Sequence, residues 1–215
     1  MTVERRWVFG EAPLPPMKEL AAALRDLTDT ALSLERSSPE LEHLVQTVRD
    51  AQQQLAAQAP TDLRPRVGDE PSRDRRVYVD HGYAVGDYNP CFPRYELAVD
   101  VDGSSGRGTV EFPVCYEGPP GIVHGGFLAV FFDCVLQQLN CDLGQAGKTA
   151  ELSLKFRRPT PLLTPLVVHA ERTIDGGRID SRAHLERDGT VLCEAEMRAA
   201  LGDHAALPVV SPRRA

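Results

Sequence analysis

The pattern of apolar and polar residues divides the chain into an N-terminal helical part and a C-terminal part with the alternation of β-strands. Between residues 17 and 55, apolar side chains recur every three or four positions, which is the period of an amphipathic helix. Ser38 and Pro39 supply an N-cap and a first helical residue within this region. The pattern therefore predicts two helices, from Met17 to about Leu34 and from Ser38 to Leu55, packed as a hairpin.

From Tyr95 onward the pattern indicates strands separated by turn sequences. The predicted strands are Tyr95–Val101, Gly108–Tyr116, Thr149–Arg157, Leu166–Ile174, Arg178–Arg187 and Thr190–Leu201. The first two are joined by the Gly-Ser-rich sequence DGSSGRG, and the last three by turns of the kind that hairpins prefer, at residues 175–177 and 188–189. These segments predict an antiparallel meander.

One stretch, GPPGIVHGGFLAVFFDCVLQQLN at residues 118–140, interrupts the strands. Its prolines and glycines predict a loop at the start. From Phe127 to Leu139 almost every residue is apolar, which predicts a helix buried on all sides, too short at about 1.5 Å per residue to cross a bilayer. A buried helix followed by a meander predicts an α+β fold with the sheet wrapped around that helix. Because one helix covers a sheet poorly, we expect a second subunit.

These patterns divide the chain into four parts. Residues 1–58 are predicted to form a helical extension that begins with an irregular segment, and residues 59–94 a linker followed by an aromatic-rich loop. Residues 95–202 form the main domain and residues 203–215 a flexible tail.

Composition narrows the class of protein. The 215 residues are 42% hydrophobic and carry a formal charge of −7, which argues against nucleic acid as the main partner. The five cysteines form no CxxC pair and no metal-ligand spacing with histidine, so a reduced, cytoplasmic setting and no metal are expected. No apolar signal core or membrane-spanning stretch is visible.

The predicted buried helix carries one acid, Asp133, between Phe132 and Cys134. A carboxylate in apolar surroundings is costly unless it finds a partner, shifts its pKa upward or faces a cavity that admits water. Asp133 is therefore either a structural acid bonded to a neighbouring strand or a general base or nucleophile that lines a cleft.

The start of the same helix offers hydrogen-bond donors. His124, Gly125 and Gly126 stand where the free N–H groups of the first turn point outward, an arrangement suited to an oxyanion hole, although glycines can also begin a helix merely to make a turn. Asp133 follows Gly126 by seven residues, or roughly 10 Å along the helix axis. One helix can hardly present both to one carbonyl, so we hypothesise a composite site in which Gly126 of one subunit faces Asp133 of another.

Three regions together resemble a known family. The run from Gly118 to Asp133, the strand TAELSLKFRRPTPL and the hairpin DGTVLCEAEMR are similar to the hotdog-fold acyl-CoA thioesterases of the PaaI-like group, and GPPGIVHGG is most similar to the members that act on long-chain acyl-CoA. The resemblance covers roughly Tyr95 to Gly202, leaving the helical extension outside it. It implies a homodimer or homotetramer that hydrolyses acyl-CoA in lipid metabolism, with coenzyme A as part of the substrate and no separate cofactor.

The resemblance also implies roles for individual residues. Asp133 matches the catalytic acid, which activates water or attacks the thioester, and Thr149 matches its hydroxyl partner on the next strand. Gly126 matches the glycine whose N–H polarises the carbonyl, and His124 matches the histidine before it. A hydroxyl at a strand start is more often structural, and His124 is equally well a turn residue. Some relatives carry an Asn or Gln before the HGG, where this chain has GPP.

The remaining predictions concern substrate-binding residues and alternative functions. Gly125 would bind substrate beside Gly126, and Lys155, Arg157 and Arg158 either meet the phosphates of coenzyme A or form a solvated strand edge. Two other functions stay open: a hotdog module that binds acyl-CoA or another hydrophobic ligand without hydrolysing it, and a hydratase, for which no His paired with an acid is found around the helix. No P-loop or Gly-x-Ser-x-Gly motif is present.

Overall fold

The computed structural model describes residues 9–12, 14, 16–59, 77–80, 84–100, 104–142 and 147–201. Most of the predicted linker and the whole predicted tail lie outside these residues. In the part of the chain that it describes, no helix is long and apolar enough to cross a membrane.

Three helices and eight strands make up the described structure. The helices are α1 (Met17–Leu32), α2 (Pro39–Ala56) and α3 (Gly125–Asp142). The strands are β1 (Phe9–Ala12), β2 (Val77–Asp80), β3 (Tyr95–Val99), β4 (Ser105–Val110), β5 (Gly147–Phe156), β6 (Leu166–Asp175), β7 (Arg178–Arg187) and β8 (Thr190–Leu201).

The main sheet has six strands in the order β3-β4-β6-β7-β8-β5, and every neighbouring pair is antiparallel. Helix α3 packs on one face of this sheet, where Phe131, Phe132 and Leu136 are fully buried against core residues of β6, β7 and β8. Alternation along the strands sends apolar residues to this face and polar residues to the other. This is the predicted hotdog architecture, a sheet wrapped around one central helix, and the α+β fold class is confirmed.

Helix α3 differs from the prediction in extent and exposure. It begins at Gly125 rather than Phe127, and it continues to Asp142. The prediction that it is buried on all sides is wrong, because Gly126 is exposed and Val130, Asp133 and Gln137 are only half-buried. These positions recur at helical spacing, so they form one stripe. We call residues 126, 130, 133 and 137 the open stripe of α3; the single sheet covers the opposite side of the helix and leaves this one uncovered.

Strand β4 lies several residues before the predicted one. The sequence pattern placed it at Gly108–Tyr116 after a Gly-Ser turn, whereas it spans Ser105–Val110 and a 3-10 turn occupies Val114–Tyr116. The glycines are strand residues because β3 approaches closely: a Cβ on Gly108 would stand 2.0 Å from the carbonyl oxygen of Glu96. Glycine here permits the strand contact rather than a turn.

Both predicted N-terminal helices are present, but they do not pack closely on each other as a hairpin would, and they are buried to different degrees. Helix α1 packs on the 3-10 turns at 85–87 and 114–116, with Ala21 and Arg25 buried, whereas α2 has no buried residue. The interpretations of residues 1–16 as irregular and of 77–93 as a loop are wrong in part, because β1 pairs with β2 in a small separate sheet. Four-residue strands so distant in sequence leave little periodic signal.

Candidate active site

The carboxylate of Asp133 is held by a residue from the sheet. Its Oδ1 accepts a hydrogen bond from Thr149 Oγ1 at 2.8 Å. Asp133 lies midway along α3 and Thr149 near the start of β5, so the site spans the helix and the end strand of the sheet. In the described residues no protein donor reaches Oδ2, which leaves that oxygen available to a water or a substrate.

A residue that the sequence reasoning missed completes this group. Gln137 Nε2 donates to Thr149 Oγ1 at 2.7 Å. Since a hydroxyl has one proton, Thr149 can accept a hydrogen bond from Gln137 while it donates one to Asp133. The two bonds orient all three side chains. The available signal was a polar residue four positions after Asp133 on an apolar helix, and hence on the same face.

A β-bulge turns Thr149 toward the helix. Thr149 pairs with Ala199 and Glu151 with Arg198, so one extra residue of β5 is inserted between them. Ala199 is fully buried on the α3 face, and Thr149 opposite it shares that face. In a regular strand Thr149 would share a face with Glu151 and Lys155 and point away from Asp133.

At the start of α3, the side chain of His124 caps the helix. Its Nδ1 accepts the N–H of Gly126 at 3.0 Å, so the predicted oxyanion donor already has a partner within its own chain. A neutral imidazole that accepts at Nδ1 carries its proton at Nε2. The exposed ring of His124 therefore presents an Nε2–H donor of its own at the helix tip.

The segment before the helix is fixed by packing and by α1. The backbone N–H of His124 donates to the carbonyl of Tyr116 at 2.9 Å, and the Tyr116 ring packs edge to face on Phe127 at 4.9 Å between centroids. The N–H of Cys115 donates to the Asp29 carboxylate of α1 at 3.2 Å. The helical extension thus contacts the turn that positions the helix tip.

Gly125 and Phe156 lie together at the same end of the site. A Cβ on Gly125 would stand 3.1 Å from the ring of Phe156, so glycine permits this aromatic contact. Phe156 is the last residue of β5 and is 60% exposed. An exposed aromatic ring beside a helix N-terminus forms an apolar wall next to a polar donor.

The three predicted cations differ in their partners. Arg157 pairs with Glu194 at 2.7 Å, and Lys155 lies 3.7 Å from Glu196, so β8 carboxylates compensate both charges. The Arg158 guanidinium donates to the backbone carbonyl of Val191 at 3.1 Å, and no carboxylate of the described residues pairs with it. Within the described structure, the positive charge of Arg158 is therefore not compensated by an acid.

Cys134, the residue after Asp133 on α3, has a raised pKa. Desolvation, followed by the charge of Asp133, raises the pKa of the Cys134 thiol to about 12. The thiol is therefore neutral near pH 7 and is a poor nucleophile. The carbonyl of the same residue accepts from the Tyr95 hydroxyl at 3.0 Å, which ties α3 to β3.

Comparison with known proteins identifies the family of this chain. No protein-family profile matches the chain. Bovine acyl-coenzyme A thioesterase THEM4 (Bos taurus) is 36% identical over 55 residues, which are 26% of this chain and 22% of that protein, so the match spans about a fifth of the relative. A phenylacetic acid degradation-related protein from Ralstonia eutropha superposes with a TM-score of 0.46 and 24% identity, over 50% of this chain and 84% of its own.

A further crystal structure, of a thioesterase superfamily protein, superposes over 90% of this chain and 100% of its own with a TM-score of 0.70. The two sequences are 30% identical over that alignment. Since the similarity takes in the sheet, the central helix and most of the rest of the chain, this protein belongs to the thioesterase superfamily.

Proposed function

We propose that this protein hydrolyses acyl-CoA thioesters to a free acid and coenzyme A. The observation that carries the proposal is the Asp133 carboxylate, oriented by Thr149 at 2.8 Å on a half-buried stripe of an otherwise apolar helix. Its second oxygen has no protein donor in the described residues. The family and the name of the bovine relative support the thioester class of substrate.

A thioester needs little from the protein beyond a base and an oxyanion hole, because thiolate is a good leaving group. In the first route, Asp133 takes a proton from water as the water oxygen bonds to the carbonyl carbon, and the C–S bond then breaks to release thiolate. In the second route, an Asp133 oxygen attacks the carbonyl carbon, the C–S bond breaks to release thiolate, and water then hydrolyses the resulting anhydride. Both routes use the oxygen that Thr149 leaves free.

Two donors at the helix tip are available for the oxyanion. Gly126 N–H becomes free if the His124 ring rotates away from it, and His124 Nε2–H is already directed outward. Either donor strengthens as negative charge develops on the carbonyl oxygen. These donors and Asp133 lie roughly 10 Å apart along one helix, so each chain supplies only part of a site.

A second copy of the chain completes the site in our proposal. Among the described residues, strand β5 is the end strand of the main sheet and pairs with β8 alone. Its ten residues leave a row of backbone donors and acceptors unpaired, and such an edge pairs readily with another strand. Antiparallel pairing of two β5 strands about a twofold axis would continue the sheet and bring the open stripe of one α3 toward the helix tip of the other.

Arg158 is the residue best placed to meet a phosphate of coenzyme A. No carboxylate in the described part of the chain pairs with it, whereas Glu194 and Glu196 engage Arg157 and Lys155. A guanidinium with free N–H groups binds phosphate through charge-assisted hydrogen bonds. Phe156, the last residue of β5, and Gly125 beside it would contact the pantetheine or acyl part of the substrate.

The test is a panel of acyl-CoA thioesters of increasing chain length, with released thiol detected by a dye. We expect turnover of at least one thioester and a loss of roughly 10²- to 10⁴-fold in kcat for Asp133→Asn, the range typical of a lost general base. The matched control is Asp26→Asn, an exposed acid on α1. Unchanged kcat in Asp133→Asn, with both variants folded, removes Asp133 from the mechanism.

The capping of Gly126 by His124 favours a second candidate, a module that binds acyl-CoA without hydrolysing it, because the oxyanion donor is then occupied. Saturable binding of acyl-CoA with no thiol release across the panel supports this alternative. The variant His124→Ala separates the two: it frees the Gly126 N–H, so thiol release that appears only in this variant identifies the wild type as a binding module.

A further inference from the structure

The face of the sheet opposite α3 carries two histidines in register. Burial alternates along β6, so that Val168 and Ala170 face the core while His169 faces away from it. His184 of β7 is the direct cross-strand partner of His169. Both histidines therefore lie on the outer face, the side of the sheet remote from Asp133.

Their rings are stacked against a shared carboxylate. The ring centroids are 4.8 Å apart, with 14° between the planes. Glu186, two residues after His184 and on the same face, directs Oε1 to His169 Nε2 at 3.3 Å and Oε2 to His184 Nε2 at 3.9 Å. Three potential ligand atoms converge, all within 4.8 Å of one another.

We propose that His169, His184 and Glu186 form a binding site for a divalent transition-metal ion, of which Zn²⁺ is the representative. Imidazole nitrogen and carboxylate oxygen are preferred ligands of such ions, and three protein ligands leave a fourth position to water. Metal–ligand bonds of about 2.0–2.2 Å place tetrahedral ligands roughly 3.4 Å apart. The separations in the structure run from 3.3 Å to at most 4.8 Å, so the stacked rings must rotate for all three atoms to bind one ion.

The surroundings of the three side chains favour a cation. A groove of about 660 Å³ runs across β4, β6, β7 and β8 and reaches both histidines, so an ion and its water ligand have room to enter. Its lining includes four acids and two basic residues: Asp100, Glu171, Glu194, Glu196, Arg107 and Arg182. With Glu186 there are five acids against two arginines; Arg157 and Lys155 compensate Glu194 and Glu196, which leaves one more acid than arginine.

This site is independent of the proposed hydrolysis. Its ligands come from the outer face, whereas Thr149 and Asp133 meet on the face that holds α3. Loss of the metal site would leave the thioesterase proposal intact, and loss of thioesterase activity would leave the metal proposal intact.

The experiment is calorimetric titration of untagged, chelator-treated full-length protein with Zn²⁺, followed by Co²⁺ absorption spectra. We expect one ion bound per chain, with at least tenfold weaker binding in His169→Ala and in the nearly isosteric Glu186→Gln. The matched controls are His43→Ala, a histidine on α2, and Cys91→Ser, which removes the exposed thiol; both should bind as the wild type does.

Melting curves establish that the variants are folded, and Glu186→Gln serves if His169→Ala is not. Absence of Zn²⁺ binding by the wild type overturns the proposal. Equal binding by Glu186→Gln and His43→Ala also overturns it, because the ion then resides elsewhere.

Discussion

At the scale of single residues, the candidate site depends on one hydroxyl proton. Thr149 accepts from Gln137 at 2.7 Å and donates to Asp133 at 2.8 Å. Gln137 therefore acts on the carboxylate only through the threonine, which makes it a positioning residue. The group is directional because the Gln137 amide N–H can only donate, so the Thr149 hydroxyl accepts it and directs its own proton to Asp133 at 2.8 Å, a stronger acceptor than Met197 Sδ at 3.6 Å.

Replacement of Gln137 by Leu should lower kcat modestly and leave KM near its wild-type value. The change removes one net hydrogen bond, worth about 1 kcal/mol, which corresponds to roughly a fivefold effect. Steady-state kinetics on the best thioester of the panel measure both constants, with Gln46→Leu on the exposed surface of α2 as the control. An unchanged kcat, or a loss as large as that of Asp133→Asn, would contradict the positioning role.

Two cysteines predict how the stability of the protein depends on pH. Burial raises the pKa of Cys134 to about 12 and that of Cys193 to about 11. The folded state keeps these protons above pH 9 while the unfolded state loses them, so the contribution of the two thiols to the free energy of unfolding is fully present below about pH 8.5 and is lost as the pH rises toward 12. Chemical denaturation between pH 7 and 11 measures this decline, which should be smaller in Cys134→Ala relative to its own value at pH 7. A stability that does not change above pH 9 would contradict the prediction.

At the scale of elements, the helical extension supports the tip of α3 from a distance. The Asp29 carboxylate accepts the N–H of Cys115, and the next residue, Tyr116, accepts the N–H of His124. Arg25, buried on the same helix, donates to the carbonyl of Asn89 at 3.3 Å. Helix α1 is thus tied to the two turns that it contacts.

Replacement of Asp29 by Ala should lower the free energy of unfolding by about 1–2 kcal/mol, because it leaves the part-buried N–H of Cys115 without its acceptor. Activity should also fall as the turn before His124 loosens. Denaturant unfolding measures the first effect and turnover the second. Asp26→Ala, an exposed acid on the same helix, should change neither. Equal stability of the two variants would show that the bond contributes nothing.

At the scale of the whole molecule, the question is whether one chain or two make a site. We expect a dimer joined at β5, and a mixture of two inactive variants should regain activity. One variant is Asp133→Asn. The other is Gly126→Pro, which removes the N–H that we propose as the oxyanion donor, in the first helical turn, where proline is tolerated.

Random pairing of the two variants makes about half of the dimers mixed, and each mixed dimer has one intact site of two. Co-expression should therefore restore about a quarter of the wild-type activity, whereas each variant alone is inactive. Sedimentation of each sample establishes that dimers form. No restoration by folded, mixed dimers would show that the site lies within a single chain.

Local patterns predicted much of this molecule. The apolar run of α3, the hairpin turns of β6 to β8 and the N-cap of α2 are properties of neighbouring residues, so the sequence pattern indicates an α+β fold directly, and the resemblance to a known family adds the hotdog class. Asp133 stands out for the same reason, as a lone charge among apolar neighbours. The role of that acid stays a prediction, as do the roles of Gly126, Thr149 and His124.

The contacts of the site were decided only in the tertiary structure. A bulge of one residue determines whether Thr149 faces Asp133 or the outer face of the sheet. No local sequence pattern predicts this bulge. The capping of Gly126 by His124, the bond from Gln137 and the pairing of His169 with His184 likewise depend on side-chain rotation and strand register. Periodicity specifies which face a residue occupies within its own element, but the partner across the gap depends on how separate elements are aligned, and that follows from packing of the whole core.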